Sequence, residues 1–426
     1  MIYIPLLLLL LLLFIGLPVA FAMFVAGIIG ITFVSDWSTV MGLMATSPYR
    51  SVAHYSLTTV PLFILMAEFI TQSHIARELF NAIYRWMGHL PGGVAIAAVF
   101  TNAGFGAMCG SSTASAAAMS SIIIPEMQKL KYKDSLSGGV IAVSGTLAML
   151  IPPSVPMILY GTVTEQSVGK LLIAGLLPGI ITAVMLALTV VIWVKASPSI
   201  SPSVPSFSWK EKFESLSVIW PTLILLVLVI GSIYTGFATP TESAAIGAMG
   251  AFIIGVALKR LHKKEISVAI MGTIKSTGMI FMIIVGATMF SFYLTLSQIP
   301  QKLVSGIAAM EVNRWIVISA IIALYIVLGF IMDQIAIILL ATPIVFPVIM
   351  ALGFDPIWFG VITIVLAEIG LATPPVGLNV FITSSVSKIP LETVFRGAGV
   401  FLITCFLTLI LFMVFPEIVL WLPNRM

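Results

Sequence analysis

The chain has 426 residues, 60% of them hydrophobic and 8% charged, with a net charge of +4 and a mean hydropathy of +1.17. Soluble domains carry roughly 25% charged residues, so this composition excludes a water-soluble protein and reads as a polytopic membrane protein in contact with lipid. The charges form no like-signed block, which excludes a nucleic-acid surface and a lipid-clamping tail. Cys109 and Cys405 lie in apolar segments without disulfide or zinc-type spacing.

A membrane-spanning helix needs about 20 apolar residues, and charge marks where such runs stop. Ile2 to Phe33 is one long tilted segment or two short ones, because Gly16-Leu17-Pro18 interrupts it. It has no basic flank and reads as retained membrane structure, not a cleaved signal. Val52 to Ile70 follows as a span and His74 to His89 as an amphipathic stretch. Residues 94–129 then hold an awkward length of apolar sequence. At about 1.5 Å per residue, half of Val94 to Ile124 reaches only about 23 Å, short of a hydrocarbon core of about 30 Å. Its middle, Gly110-Ser111-Ser112-Thr113-Ala114-Ser115, is small and hydroxylated. The pattern predicts a re-entrant helical hairpin whose tip ends inside the membrane, the rival being one helix that uses small residues for close packing. A broken helix is expected over 135–164, interrupted at Pro152-Pro153, and then Leu171 to Val194.

A polar linker over 196–215 separates the halves. The second half is expected as Val218 to Tyr234, Thr239 to Leu258, Lys275 to Leu296, a hairpin over 315–352, a broken helix over 356–387, and Val394 to Leu422. The halves, 1–195 and 216–426, correspond at an offset of 222 residues. Pro18 falls on Pro240, Pro125 on Pro347, Gly138 on Gly360, and Pro152-Pro153 on Pro374-Pro375. Paired helix breaks in two halves are the sequence mark of a secondary transporter with its site near the bilayer midplane.

With the linker in the cytoplasm, Arg50, Lys170, Lys302, Arg314 and Arg425 fall outside, and the remaining 15 of the 20 basic residues fall inside, as the positive-inside rule asks. The first hairpin then opens from the cytoplasm and the second from the outer face. The expected fold is an all-α polytopic membrane protein of two inverted-topology repeats, each with a re-entrant hairpin and a broken transmembrane helix.

Four motifs carry a family resemblance: Gly110 to Ser115, Ile151-Pro152-Pro153-Ser154, Ala238-Thr239-Pro240-Thr241-Glu242-Ser243-Ala244-Ala245, and Ala372-Thr373-Pro374-Pro375-Val376-Gly377-Leu378-Asn379. In this order they resemble the large membrane subunit of tripartite ATP-independent periplasmic (TRAP) transporters, over essentially the whole chain. The resemblance implies an elevator-type, sodium-driven importer of organic acids in the bacterial inner membrane, with scaffold and transport parts. Its substrates within the family include four-carbon dicarboxylates and sialic acid. It implies two partners, a small four-helix membrane subunit, expected here as a separate polypeptide, and a soluble periplasmic binding protein.

The residues support ion-coupled chemistry without the name. Sodium is a hard cation, held by backbone carbonyls at broken helix ends with a few hydroxyl or carboxylate oxygens. Ser111, Ser112 and Thr113 with Leu150 and Pro152 supply one such set; Asp333, Gly370 and Thr373 supply the mirror set, so two or more sodium ions are expected. The offset sets Asp333 opposite Ser111. An intramembrane acid is a functional hypothesis by default, against a structural, hydrogen-bonded carboxyl. Helix amino ends at the breaks would face a carboxylate substrate, near Pro153, Ser154, Pro375 and Asn379; Ser154 and Asn379 equally suit local backbone capping. Of the other intramembrane acids, Glu242 after Pro240 reads as a helix amino-end complement. Glu368 stays open between a packing carboxyl and a support for the cation site, and Glu68 has no assigned role.

An intramembrane hydrolase would need a base beside Ser111, yet His54, His74, His89 and His262 all map to loops or amphipathic stretches. No phosphate-binding loop of an ATP-driven pump occurs. An ion channel fits the composition, but paired broken helices favour alternating access.

Overall fold

The computed structural model describes residues 3–73, 75–202, 206–310, 312–330 and 332–426. Ile2 of the first segment, His74, linker residues 203–205 and Ile331 of the second hairpin lie outside the described residues. Every regular element among the described residues is helical. Among the described residues, five helices are long and apolar enough to cross a membrane, or up to seven if each of two bent pairs counts as one span.

The first apolar stretch resolves into two helices, Ile4–Phe14 and Val19–Val34. Gly16 between them has φ +86 and Pro18 is the residue before the second helix, so the chain turns where a helix cannot continue. A helix that the apolar pattern misses follows, Trp37–Val52. Polar residues and Arg50 interrupt its hydropathy, and its start is fixed by Asp36, whose Oδ1 accepts from the Thr39 amide at 3.1 Å. It bends by 53° into Thr59–Gln72 through a short 3-10 turn.

Ile75–Met87 is the amphipathic helix. The first hairpin region consists of Gly93–Cys109 and Ser112–Ile122, separated at Gly110 with φ +64, and continues as Ile124–Lys129. The first broken helix is Asp134–Ser144 and Leu147–Leu150, an extended Ile151 to Ser154, and Val155–Val163, bent by 44°. After Val168–Ala196, the next helix begins at Trp209, inside the stretch that composition assigns to the linker. Ser208 and Glu211 form a capping box there, which starts the helix in polar sequence. Thr239 and Glu242 do the same for Pro240–Ala257, so Glu242 is a capping residue. Lys263–Leu296 starts well before Lys275, with the His262 amide donating to Glu265 Oε2 at 3.1 Å. The short Ile299–Ala309 helix has no apolar run long enough to announce it. The second hairpin region is Arg314–Gly329 and Gln334–Ala351; the second broken helix is Pro356–Ala372 and Leu378–Ser387, followed by Leu391–Val414.

The helices fall into two packed groups. In one, Lys263–Leu296 lies along Val19–Val34 and Thr59–Gln72, and Pro240–Ala257 packs on Thr59–Gln72 and Trp209–Tyr234. Gly27 permits this approach, since a Cβ there would stand 2.7 Å from the Met289 backbone. In the other, the hairpin regions and broken helices pack with Val168–Ala196 and Leu391–Val414. Here Asp134–Ser144 crosses Leu391–Val414 at glycines: a Cβ on Gly397 would overlap the Ser135 carbonyl, and one on Gly139 the Gly397 backbone. Lipid tails give apolar helices little reason to associate, so small residues that let backbones touch carry such contacts.

Gly397→Ala is therefore expected to lower stability by about 1–3 kcal/mol through overpacking, read as a lower midpoint in thermal unfolding of the purified chain. Gly399→Ala, where a Cβ would meet nothing within 4 Å, should leave the midpoint unchanged or slightly raised. Equal responses of the two variants would contradict the close crossing.

Candidate functional site

Four helices begin at the two tips and two breaks, and sequence chemistry explains each start. Ser111 precedes Ser112–Ile122 and its Oγ accepts from the Ala114 amide at 3.4 Å. Asp333 precedes Gln334–Ala351 and its Oδ2 accepts from the Ile335 amide at 3.3 Å. Ser154 precedes Val155–Val163 and accepts from the Met157 amide at 3.4 Å. Gly377, with φ +54, turns the chain into Leu378–Ser387. Each first turn keeps amide groups without an intrahelical partner and the positive end of a helix dipole.

The halves interlock at these starts. Leu378–Ser387 packs on Ser112–Ile122, and Val155–Val163 packs on Gln334–Ala351, so each helix after a break rests on the other half's hairpin region. Asn379 joins the halves: its Oδ1 accepts from Ser112 Oγ at 3.4 Å and its Nδ2 donates to the Ala142 carbonyl at 3.4 Å. Tyr160 Oη donates to the Pro356 carbonyl at 2.9 Å. Within the first half, Asn102 Nδ2 donates to Ser144 Oγ at 2.7 Å and its Oδ1 accepts from Ser115 Oγ at 2.8 Å. All three side chains are buried, so this network fixes the two arms of the first hairpin region to the broken helix behind them.

The four amino ends face one cavity of about 960 Å³, which Ser111, Thr113, Val155, Asp333, Gln334 and Leu378 line from one side. The other wall comes from the first helix group, through Phe21, Glu68 and Met279 among others. Asp333 and Glu68 are its two carboxylates, and no Lys, Arg or His lines it among the described residues. Among the described residues, no group of three or more His, Cys, Asp or Glu stands together. The cavity thus offers hydroxyl and carboxylate oxygens and helix-start amides as its polar groups.

The residues singled out from the sequence divide into three sets. Ser111, Thr113 and Asp333 line the cavity. Ser112, Leu150, Pro152, Pro153, Ser154 and Asn379 are buried behind its wall, where Ser154 caps its helix and Asn379 ties the halves. In the second half, Gly370 packs so closely on Gly329 that a Cβ on either would stand 2.6 Å from the other's Cα. Thr373 Oγ1 donates to the Ile369 carbonyl at 2.6 Å, and Pro375 is exposed. Both proline doublets are cis. The sequence does not single out Gln334, whose buried Oε1 has no hydrogen-bond partner among the described residues, and Glu368, which stays open, has a buried Oε1 likewise without a partner among them. Adjacency to Asp333 was the signal available for Gln334. Glu68 had been noted as an intramembrane acid, but nothing local in the sequence tells that it faces the hairpin tips.

The profile of the family described as the tripartite ATP-independent periplasmic transporter, DctM component, matches residues 6–418. The C4-dicarboxylate TRAP transporter large permease protein DctM of Pseudomonas aeruginosa is 38% identical over 382 residues, 89% of each chain. The sialic acid TRAP transporter large permease protein SiaM of Vibrio cholerae is 31% identical over 414 residues, 97% of this chain and 96% of that one. Among solved structures, the YdaH transporter of Alcanivorax borkumensis matches with a TM-score of 0.61 over 90% of both chains at 15% identity, a likeness of fold alone. The relatives are named as transporter permeases, and with its several apolar spans this chain is a multi-pass inner-membrane protein that belongs to the DctM family of TRAP transporter large permease subunits.

Proposed function

We propose that this subunit imports a small organic acid, recognised through its carboxylate, by sodium-coupled alternating access. The observation that carries the reading is the convergence of four helix amino ends on one cavity between two packed helix groups. Amino ends are anion sites by dipole and by unpaired amides. The relatives' dicarboxylate and sialic acid substrates share a carboxylate, which is the class carried over here, not a compound.

Sodium enters as a co-transported ion. Asp333 supplies a charge, with Ser111, Ser112, Thr113 and Thr373 hydroxyls and carbonyls at Leu150, Pro152 and Gly370 as further oxygens. The buried, unpartnered Gln334 Oε1 beside Asp333 supports a polar occupant at that tip. In the proposed cycle the group with hairpins and broken helices moves against the other group as an elevator, carrying the site across. The two groups meet at the cavity, which is where such a movement would open and close it. The small membrane subunit and the periplasmic binding protein are the partners that the family membership brings to the reading.

The proposed inverted arrangement draws support from contacts at one end of the molecule. Arg85 Nη1 donates to the Glu211 carbonyl at 3.2 Å, Trp86 Nε1 to the Lys212 carbonyl at 3.1 Å, and the Lys133 amide to the Ile200 carbonyl at 3.0 Å. Arg260 pairs with Glu78. These segments carry basic residues assigned to the cytoplasm, and they sit together.

Uptake into proteoliposomes holding this chain with its two partners should require an inward sodium gradient and no ATP; uptake that persists with choline in place of sodium, at fixed membrane potential, contradicts the coupling. Asp333→Asn keeps an acceptor for the Ile335 amide and removes the charge, so the sodium concentration for half-maximal uptake should rise about tenfold or more while thermal stability changes little. A fall in stability with unchanged sodium dependence would make Asp333 a structural cap. Single cysteines at Lys131 and Lys302, in a background without Cys109 and Cys405, should react with impermeant thiol reagent from opposite sides of the membrane; labelling from one side rules out the inverted arrangement.

A further inference from the structure

The two walls of the cavity are electrostatically unlike. The wall with hairpins and broken helices presents four helix amino ends and Asp333, whose carboxylate is matched by its own helix start and by the proposed sodium ion. The facing wall presents one charged side chain, Glu68 on Thr59–Gln72. Glu68 lies on Thr59–Gln72, and its carboxylate rests against the backbone of Lys263–Leu296 at Gly272. A Cβ at Gly272 would stand 2.6 Å from Glu68 Oε1, so the glycine leaves room for the carboxylate in this position.

Among the described residues, no cation pairs with it. The ion pairs among the described residues join Lys129 to Glu126, Lys210 to Glu214 and Arg260 to Glu78. Lys275, three residues beyond Gly272, is exposed and pairs with neither cavity carboxylate. A half-buried carboxylate in a mainly apolar cavity is stabilised by a positive partner and strongly disfavours a second negative one. A dianion held by the amino ends would turn its other carboxylate toward Glu68. A molecule with a carboxylate at one end and a charged nitrogen at the other meets complementary charge on both walls.

We infer that the transported acid is zwitterionic, its carboxylate at the helix amino ends and its ammonium or related cationic nitrogen against Glu68. The inference rests on the carboxylate reading above and narrows it. Glu68 is then the specificity-determining residue that separates amino-acid-like substrates from dicarboxylates of equal length.

The test uses the purified full chain at saturating sodium, with thermal stabilisation read against rising concentrations of succinate, 4-aminobutyrate and N-acetylneuraminate. The first two have similar length and differ in the charge of one end. 4-Aminobutyrate should act at a concentration about ten- to a hundredfold lower than succinate, the worth of a charged hydrogen bond. Glu68→Gln should erase most of that preference and leave the response to sodium alone unchanged. Gly272→Ala, which keeps the charge and displaces it, should reduce the preference without lowering the melting midpoint of the free chain, because alanine favours the helix. If succinate or N-acetylneuraminate acts at an equal or lower concentration than 4-aminobutyrate, the zwitterion inference falls and the carboxylate reading stands. If Glu68→Gln changes the sodium response and spares the probe preference, Glu68 is a cation ligand and the inference also falls. Absence of any probe effect, with and without sodium, would overturn the carboxylate reading itself.

Discussion

Backbone amides and carbonyls freed inside a membrane must be satisfied by protein or by water in a cavity, because lipid offers no partner. This protein frees them at four places, two tips and two breaks, and the rest of the architecture follows from how they are covered. Side-chain caps at Ser111, Ser154 and Asp333 answer part of the need. Packing answers more: each helix after a break lies on the other half's hairpin region, and Asn379 bridges Ser112 and the Ala142 carbonyl. What remains uncovered faces the cavity, where the proposed substrate and ion would complete it. The same broken geometry that would be costly in lipid is what gives the site its polarity.

Rigidity and access are divided between two sets of contacts. Glycine crossings such as Gly139 with Gly397 and Gly329 with Gly370 bring backbones together inside the group that carries the tips and breaks, and the buried Asn102 network holds the first hairpin region to its broken helix. Moving one of these helices alone would open voids and orphan hydrogen bonds, which suits the unit movement proposed above. The cavity lies along the seam with the other group.

Local chemistry made much of this legible before any coordinates. Pro152-Pro153 and Pro374-Pro375 mark breaks because proline acts on its own turn, and the hydroxylated stretch at Ser111 stands out because hydrophobicity lapses inside an apolar run. The 222-residue correspondence led to Asp333 at the second tip, where it caps Gln334–Ala351. Helices without a long apolar run, Trp37–Val52 and Ile299–Ala309, were hidden, since their starts depend on caps and tertiary cover. The linker's apparent end was misplaced for a related reason: a capping box begins the helix in polar sequence at Trp209. Partnerships between distant positions were the least legible. Nothing near Glu68 in the chain announces Gly272 behind it or the tips in front of it, and Asn379 reads equally as a local cap until Ser112 is found beside it.

On the proposed function, the cavity between the amino ends and the facing wall is the path of the carboxylate. Ala114 lines that cavity in the first turn after Ser111. In a chain with Cys109 and Cys405 replaced by alanine, Ala114→Cys modified by a bulky thiol reagent should abolish sodium-driven uptake in the reconstituted complex, and substrate present during modification should slow the reaction. Full modification with uptake and sodium dependence unchanged would place the carboxylate's path elsewhere.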